Sequence, residues 1–153
     1  MLGISACLGG VACRYDGGSN EIVVLRNLVE TGQAILFCPE VLGGLPTPRT
    51  PAEIQGGDGF DVWRNQARVL DKKGNDVTEV FKQGAITAFE KMRELQITEL
   101  ILKERSPSCG SGMIYDGSFS GNRIKGVGVA TAYFIQQGIP VYSEENWQEM
   151  RMK

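Results

Sequence analysis

Ala34-Ile35-Leu36-Phe37-Cys38-Pro39-Glu40 is the stretch from which the fold reads. An apolar, strand-like run ends on a cysteine, and a proline breaks it. The same order occurs twice more. Ile4-Ser5-Ala6 leads to Cys7, and Leu100-Ile101-Leu102-Lys103 leads into Ser106-Pro107-Ser108-Cys109-Gly110. If these runs are parallel strands of one sheet, the three thiols meet at its carboxyl edge, where open α/β sheets bind ligands. Pro140-Val141-Tyr142 begins a fourth strand.

Helical patterns separate the strands. Asn20 is placed to cap a helix over about 21–31, with Ile22, Val23, Leu25, Leu28 and Val29 on its apolar side and Gly32 as its stop. Thr78 is placed to cap the longest helix, 79–95. There Val80, Phe81, Gly84, Ala85, Ala88, Phe89, Met92 and Leu95 recur at the helical period. Gly126-Val127-Gly128 opens a helix to Gln137, and 144–150 forms a short last one. Residues 62–70 and 76–78, around Lys72-Lys73-Gly74-Asn75, read as a hairpin. Residues 39–59, rich in proline and glycine, read as one long irregular loop of the functional kind. The expected fold is α/β. It is a single three-layer domain over 1–153, with a mainly parallel sheet, helices on both faces and an inserted hairpin.

The net charge of −2 gives no strong field toward nucleic acid or an acidic membrane surface. No apolar run approaches the ~20 residues of a membrane span. No basic n-region precedes the first strand, so the expected location is cytoplasmic. Four cysteines in that setting read as reduced thiols or metal ligands rather than disulfides. The chain has no histidine, which removes a Cys–His catalytic pair and any histidine-dependent zinc site. There is no CxxC, and the common ferredoxin and zinc-finger spacings are absent. A single cysteine is most simply a small buried hydrophobe. Three at strand ends, beside Gly, Pro or Ser, point to a metal or iron–sulfur site.

The longer motifs carry more. Ser5-Ala6-Cys7-Leu8-Gly9, Cys13-Arg14-Tyr15-Asp16-Gly17, the run from Cys38-Pro39-Glu40 to Pro48-Arg49, Ser106-Pro107-Ser108-Cys109-Gly110 and Tyr115-Asp116-Gly117 resemble one bacterial family. It is the thiouracil desulfidases, formerly a domain of unknown function, and the likeness runs from about residue 3 to 144. The resemblance implies a [4Fe–4S] cluster on Cys7, Cys38 and Cys109, with one iron not ligated by protein. It implies non-redox desulfuration of a thiolated pyrimidine: thiouracil, thiouridine or its nucleotide. Such an iron is a Lewis acid and a soft docking point for sulfur. The polarised C–S carbon is then open to water, giving the oxo-pyrimidine and hydrosulfide.

Glu40 follows Cys38 by two residues, and an extended Cys38-Pro39-Glu40 would turn both side chains to one site. Its carboxylate there would deprotonate the attacking water, and the family resemblance associates this glutamate with catalysis. The plain alternative is a solvated glutamate or a helix cap. The Ser106 hydroxyl would position substrate or relay a proton, against ordinary turn chemistry. Secondary substrate-binding candidates are Ser108, Arg49 on the Pro-rich loop, and Gly126 and Gly128. The N–H groups of these two glycines, at a helix start, would cradle a phosphate or simply form a tight turn. Arg14, Arg105, Arg123 and Lys125 are further phosphate candidates. Cys13 reads as a structural residue, a sulfur carrier or a fourth ligand. Two other readings stay open: a non-catalytic Cys-ligated zinc module, and a persulfide sulfur carrier. The expected partner is a small thiopyrimidine base or nucleotide, with thiolated RNA less favoured. No membrane partner is expected, and the chain would be a monomer or weak homo-oligomer.

Overall fold

The apolar runs do become strands. In the computed structural model, which describes residues 1–6, 22–46 and 49–151, the elements follow in chain order. They are β1 (Leu2–Ser5), α1 (Val23–Glu30), β2 (Ala34–Phe37), α2 (Pro39–Leu42), β3 (Ala52–Gln55), α3 (Gly59–Trp63) and β4 (Arg68–Asp71). Then come α4 (Thr78–Glu94), β5 (Glu99–Leu102), β6 (Met113–Tyr115), β7 (Arg123–Lys125), α5 (Val129–Gln136), β8 (Val141–Ser143) and α6 (Trp147–Arg151). The central sheet has the order β2-β1-β5-β8. All its pairs are parallel, with Leu2 opposite both Ala34 and Glu99, and Ile101 opposite Tyr142.

Alternation along the strands divides the core into two layers of contact. Leu2, Ile4, Ala34, Leu36, Ile101 and Tyr142 meet Leu25, Leu28 and Val29 of α1 and Trp147 of α6. Ile35, Phe37, Leu100, Leu102 and Val141 meet the apolar faces of α4 and α5 through Ala85, Ala88, Met92, Ala130 and Phe134. Helices thus cover both faces of the sheet. Leu100, Ile101 and Leu102 are fully buried, each contributing roughly 1.5–3 kcal/mol of apolar burial.

The region 39–59 differs from the long loop expected of it. Pro39 starts α2 at a position where its missing N–H costs nothing, and β3 pairs antiparallel with β4 from Ala52↔Asp71 to Gln55↔Arg68. The hairpin therefore joins β4 to 52–55, not to 76–78, which supply only the bridge Leu70↔Asp76. Its 62–70 arm begins as helix. The Asp58 side chain accepts from the Phe60 and Asp61 N–H groups, and the Asp61 carboxylate accepts from the Asp58 N–H. That capping box outweighs the apolar pattern. Thr78 does not cap α4. Its hydroxyl accepts from the Val69 N–H at 2.9 Å, while Asp76 accepts from the Thr78 N–H. The β6–β7 hairpin was not anticipated, because every residue of β7 is exposed and shows no apolar alternation. Asn20 lies outside the described residues.

One glycine pair sets where α2 sits. A Cβ on Gly84 of α4 would stand 2.2 Å from the Pro39 carbonyl oxygen, and one on Gly43 would stand 2.5 Å from the Val80 carbonyl oxygen. A helix-interior glycine costs about 1 kcal/mol relative to alanine. Here that cost is offset by close backbone approach. Gly84→Ala should destabilise by about 1–3 kcal/mol, since a backbone carbonyl cannot step aside. Urea unfolding reads this directly, and an unchanged or raised midpoint would contradict it.

Candidate active site

Three strand ends converge. Ser5 and Ala6 follow or end β1, Cys38 follows β2, and the segment Lys103–Cys109 follows β5. All of these supply lining to one cavity of about 730 Å³. Cys38 and Cys109 share it with Glu40, Arg49 and Ser106. Cys7 and Cys13 lie outside the described residues, but Ala6, which precedes Cys7, is on the wall. Among the described residues no group of three His, Cys, Asp or Glu side chains forms a metal-sized site. Cys109 also packs with the α4–α5 core, and Cys38 packs against the α1 side.

Glu40 reaches the cavity by a route other than the expected one. Cys38 is extended at the N-cap of α2 (φ −137°, ψ 110°), but Glu40 is already in the helix's first turn. Its carboxylate is held from both sides. The Arg49 guanidinium donates through Nε to Oε2 at 2.9 Å, and Nη2 pairs with the same oxygen. The Ser106 hydroxyl donates to Oε1 at 3.2 Å. The two charged side chains are nearly out of water, Arg49 at 7% and Glu40 at 12% exposure. Ser106 Oγ in turn accepts from the Ser108 and Cys109 N–H groups, both at 3.1 Å. A continuous hydrogen-bonded path therefore runs from Arg49 through Glu40 and Ser106 to the Cys109 turn. Arg49, itself on the cavity wall, is thus engaged with the Glu40 carboxylate.

Other candidates fall elsewhere. Ser108 is 1% exposed and does not line the cavity, and its carbonyl accepts from the Ala130 and Thr131 N–H groups. The start of α5 is no anion cradle. The Gly128 N–H donates to the Gly110 carbonyl, the Val129 N–H to that of Pro107, and the Gly126 N–H to that of Gly112. A Cβ on Gly128 would lie 2.4 Å from the Ser108 backbone, so this glycine lets α5 dock on the Cys109 turn. The Thr131 hydroxyl adds a bond to the Cys109 carbonyl at 2.9 Å.

Sequence reading missed Glu104, a cavity-lining carboxylate that is only 7% exposed. One of its oxygens accepts from the N–H groups of Arg105, Ser111, Gly112 and Met113, at 2.9–3.3 Å. Burial pushes its carboxyl up, but the combined N–H bonds outweigh this and hold it below the ordinary range. No motif signals such a hub, whose partners lie as far as nine residues along. Next to it, Glu144 accepts from the Glu104 N–H at 2.8 Å and stands 3.5 Å from Lys103 Nζ. Burial pushes the Glu144 carboxyl up. The signs are opposite. Stabilisation from Glu104 is complete above its ordinary range and is lost as pH falls through its lowered value. That from Glu144 is complete below its ordinary range and is lost as pH rises through its raised value. Glu104→Gln should cost about 1–2 kcal/mol at neutral pH and flatten the acid limb of the stability curve. Urea midpoints across pH measure both, and an acid limb as steep as that of the parent would refute the assignment.

The 2-thiouracil desulfurase family model matches residues 2–146. An uncharacterized protein, YbbK, of Bacillus subtilis (strain 168) is 45% identical over 150 residues, covering 98% of this chain and 99% of that protein. The solved structure of the [4Fe-4S]-dependent thiouracil desulfidase TudS is 44% identical, with a TM-score of 0.87 over 99% of this chain and 95% of the other. A match spanning the parallel sheet, both cavity cysteines and the Glu40–Ser106 pair places the chain in the 2-thiouracil desulfurase family.

Proposed function

We propose that this protein hydrolyses the C–S bond of a thiolated pyrimidine, using a [4Fe–4S] cluster held by Cys7, Cys38 and Cys109 with one iron left to the substrate. The observation that carries the reading is the Glu40–Ser106 pair, 3.2 Å apart, in the cavity lined by Cys38 and Cys109. The residues present fit such a group. Thiolates are the soft ligands that iron–sulfur clusters take, and the cavity is within the size range of small-molecule sites. Ala6, the residue before Cys7 in the sequence, is on the same wall.

When bound, the cluster supplies a Lewis-acidic iron that polarises the thiocarbonyl. The remaining work belongs to side chains. Glu40 takes the proton of the attacking water. Arg49 holds one carboxylate oxygen, which fixes the other toward Ser106. Ser106 positions the ring's polar edge or passes the proton on. Water provides the new carbonyl oxygen, sulfur leaves as hydrosulfide, and no electrons are exchanged.

The chain would act as one domain in the cytoplasm, on a base or nucleotide rather than RNA, as a monomer or weak homo-oligomer. Among the described residues no helix is long and apolar enough to cross a membrane. A structural zinc module would have no use for a carboxylate–hydroxyl pair inside a cavity of this size. The test is hydrosulfide release by anaerobically reconstituted protein from 2-thio- and 4-thiopyrimidines, as bases, nucleosides, nucleotides and thiolated RNA. Release from a small thiopyrimidine is the expected result. A fully loaded protein that releases none from any of them would remove the proposal.

A further inference from the structure

Among the described residues, four that are not glycine adopt a left-handed backbone: Asn65, Gln96, Arg105 and Phe119. Asn65 and Gln96 follow the C-caps of α3 and α4, where that conformation commonly ends a helix. Arg105 and Phe119 have no such reason, and both line the cavity. Phe119, at φ +55°, is the bulkiest of the four. A large side chain there is rare, and such strain persists only where its surroundings enforce it.

The surroundings are specific. Phe119 sits in the loop between β6 and β7, closed at its neck by the Asp116 N–H donating to the Asn122 carbonyl at 3.0 Å. Glu53 of β3 accepts from the Gly117 N–H at 3.0 Å and from the Phe119 N–H at 3.2 Å. Gln55, two residues along β3, donates to the Gly117 carbonyl at 3.0 Å. The loop is thereby fastened to β3 through the strained residue itself.

Packing does not account for the ring. Of the four aromatic residues on the cavity wall, Phe37 and Phe81 belong to the core, and Tyr115, outside the three clusters, lies in the regular strand β6 without the left-handed backbone of Phe119. Phe119 joins none of the three hydrophobic clusters of the described residues. An aromatic side chain outside the core, forced by a backbone clamp onto the wall of a substrate cavity, matches what a flat heterocycle needs for stacking.

We propose that Phe119 is the stacking wall for the pyrimidine ring, a specificity-determining residue clamped by Glu53, an inference that rests on the function proposed above. Stacking of a base on an aromatic ring is worth on the order of tenfold to a hundredfold in affinity. Glycine relieves a positive φ, so stability and binding should move in opposite directions.

Steady-state kinetics and thermal melts of wild type, Phe119→Gly, Phe119→Leu and Phe119→Tyr test this, with the best thiopyrimidine as substrate and uracil as competitive inhibitor. Expected for Phe119→Gly are a KM and a uracil inhibition constant raised about tenfold or more, kcat little changed, and a melting temperature at or above wild type. Phe119→Leu keeps apolar bulk without a π-face and should share the binding loss. Phe119→Tyr should restore it. Wild-type KM in Phe119→Gly, or in Phe119→Leu, would overturn the stacking role, and so would a marked drop in melting temperature, which would make the ring structural. A wild type inactive on every thiopyrimidine would instead overturn the proposed function, and this inference with it.

Discussion

Replacing Cys109 with alanine should give a folded protein that holds no cluster and has no desulfidase activity. The backbone bonds that shape its turn are independent of the sulfur. The Cys109 N–H donates to Ser106 Oγ, and the Cys109 carbonyl accepts from Thr131 Oγ1. The Gly110 N–H donates to the Ser106 carbonyl at 2.9 Å. All of these survive the substitution, so the fold should persist while a ligand is lost. Cys38→Ala should behave alike, since α2 is positioned by Pro39 and the Gly43–Gly84 approach rather than by the thiol. Iron and acid-labile sulfide per chain after anaerobic reconstitution, with the far-ultraviolet circular dichroism as a fold control, check both variants. Wild-type iron content in either would take that cysteine out of the ligand set.

Glu40→Gln should give the opposite separation: full cluster, little turnover. Glutamine has the same shape but only one acceptor oxygen, so it keeps the bond from Arg49 or the one from the Ser106 hydroxyl, which in Glu40 go to separate oxygens. It cannot accept a proton from water. General-base removal typically lowers kcat by about 10²–10⁴-fold. The variant should also lose stability, roughly 3 kcal/mol, because the Arg49 charge stays buried without its counter-ion. A single-turnover assay at matched iron content isolates the chemical effect. Near-wild-type kcat would show that Glu40 is a structural partner of Arg49 and no more.

Much of this was legible before the structure. Runs such as Ala34–Phe37 and Leu100–Leu102 are too apolar to lie anywhere but a covered sheet, and the stripe from Phe81 to Met92 needs an apolar partner along one face. Those elements fixed the parallel sheet and brought Cys38, Glu40, Ser106 and Cys109 into view at strand ends. The parts that escaped reading are short and held from outside. α2 is four residues long and depends on a glycine contact with α4. β3 is recognisable through Ile54, whose burial comes from a cluster spanning residues 54 to 129. The start of α5 misled for the same reason. Its N–H groups look available for an anion in sequence, yet they are taken by carbonyls of the Cys109 turn about twenty residues earlier. Glu104 gave no signal at all, since a glutamate after a strand is ordinarily exposed and only the folded loop converts it into an acceptor for four N–H groups.

Mössbauer spectroscopy of the iron-loaded protein, with and without 2-thiouracil, addresses the account most directly. A cluster tied down by three thiolates should contain one iron distinct from the rest, and substrate should shift that site alone. Iron sites that are all alike and unmoved by a thiopyrimidine the protein is turning over would contradict it.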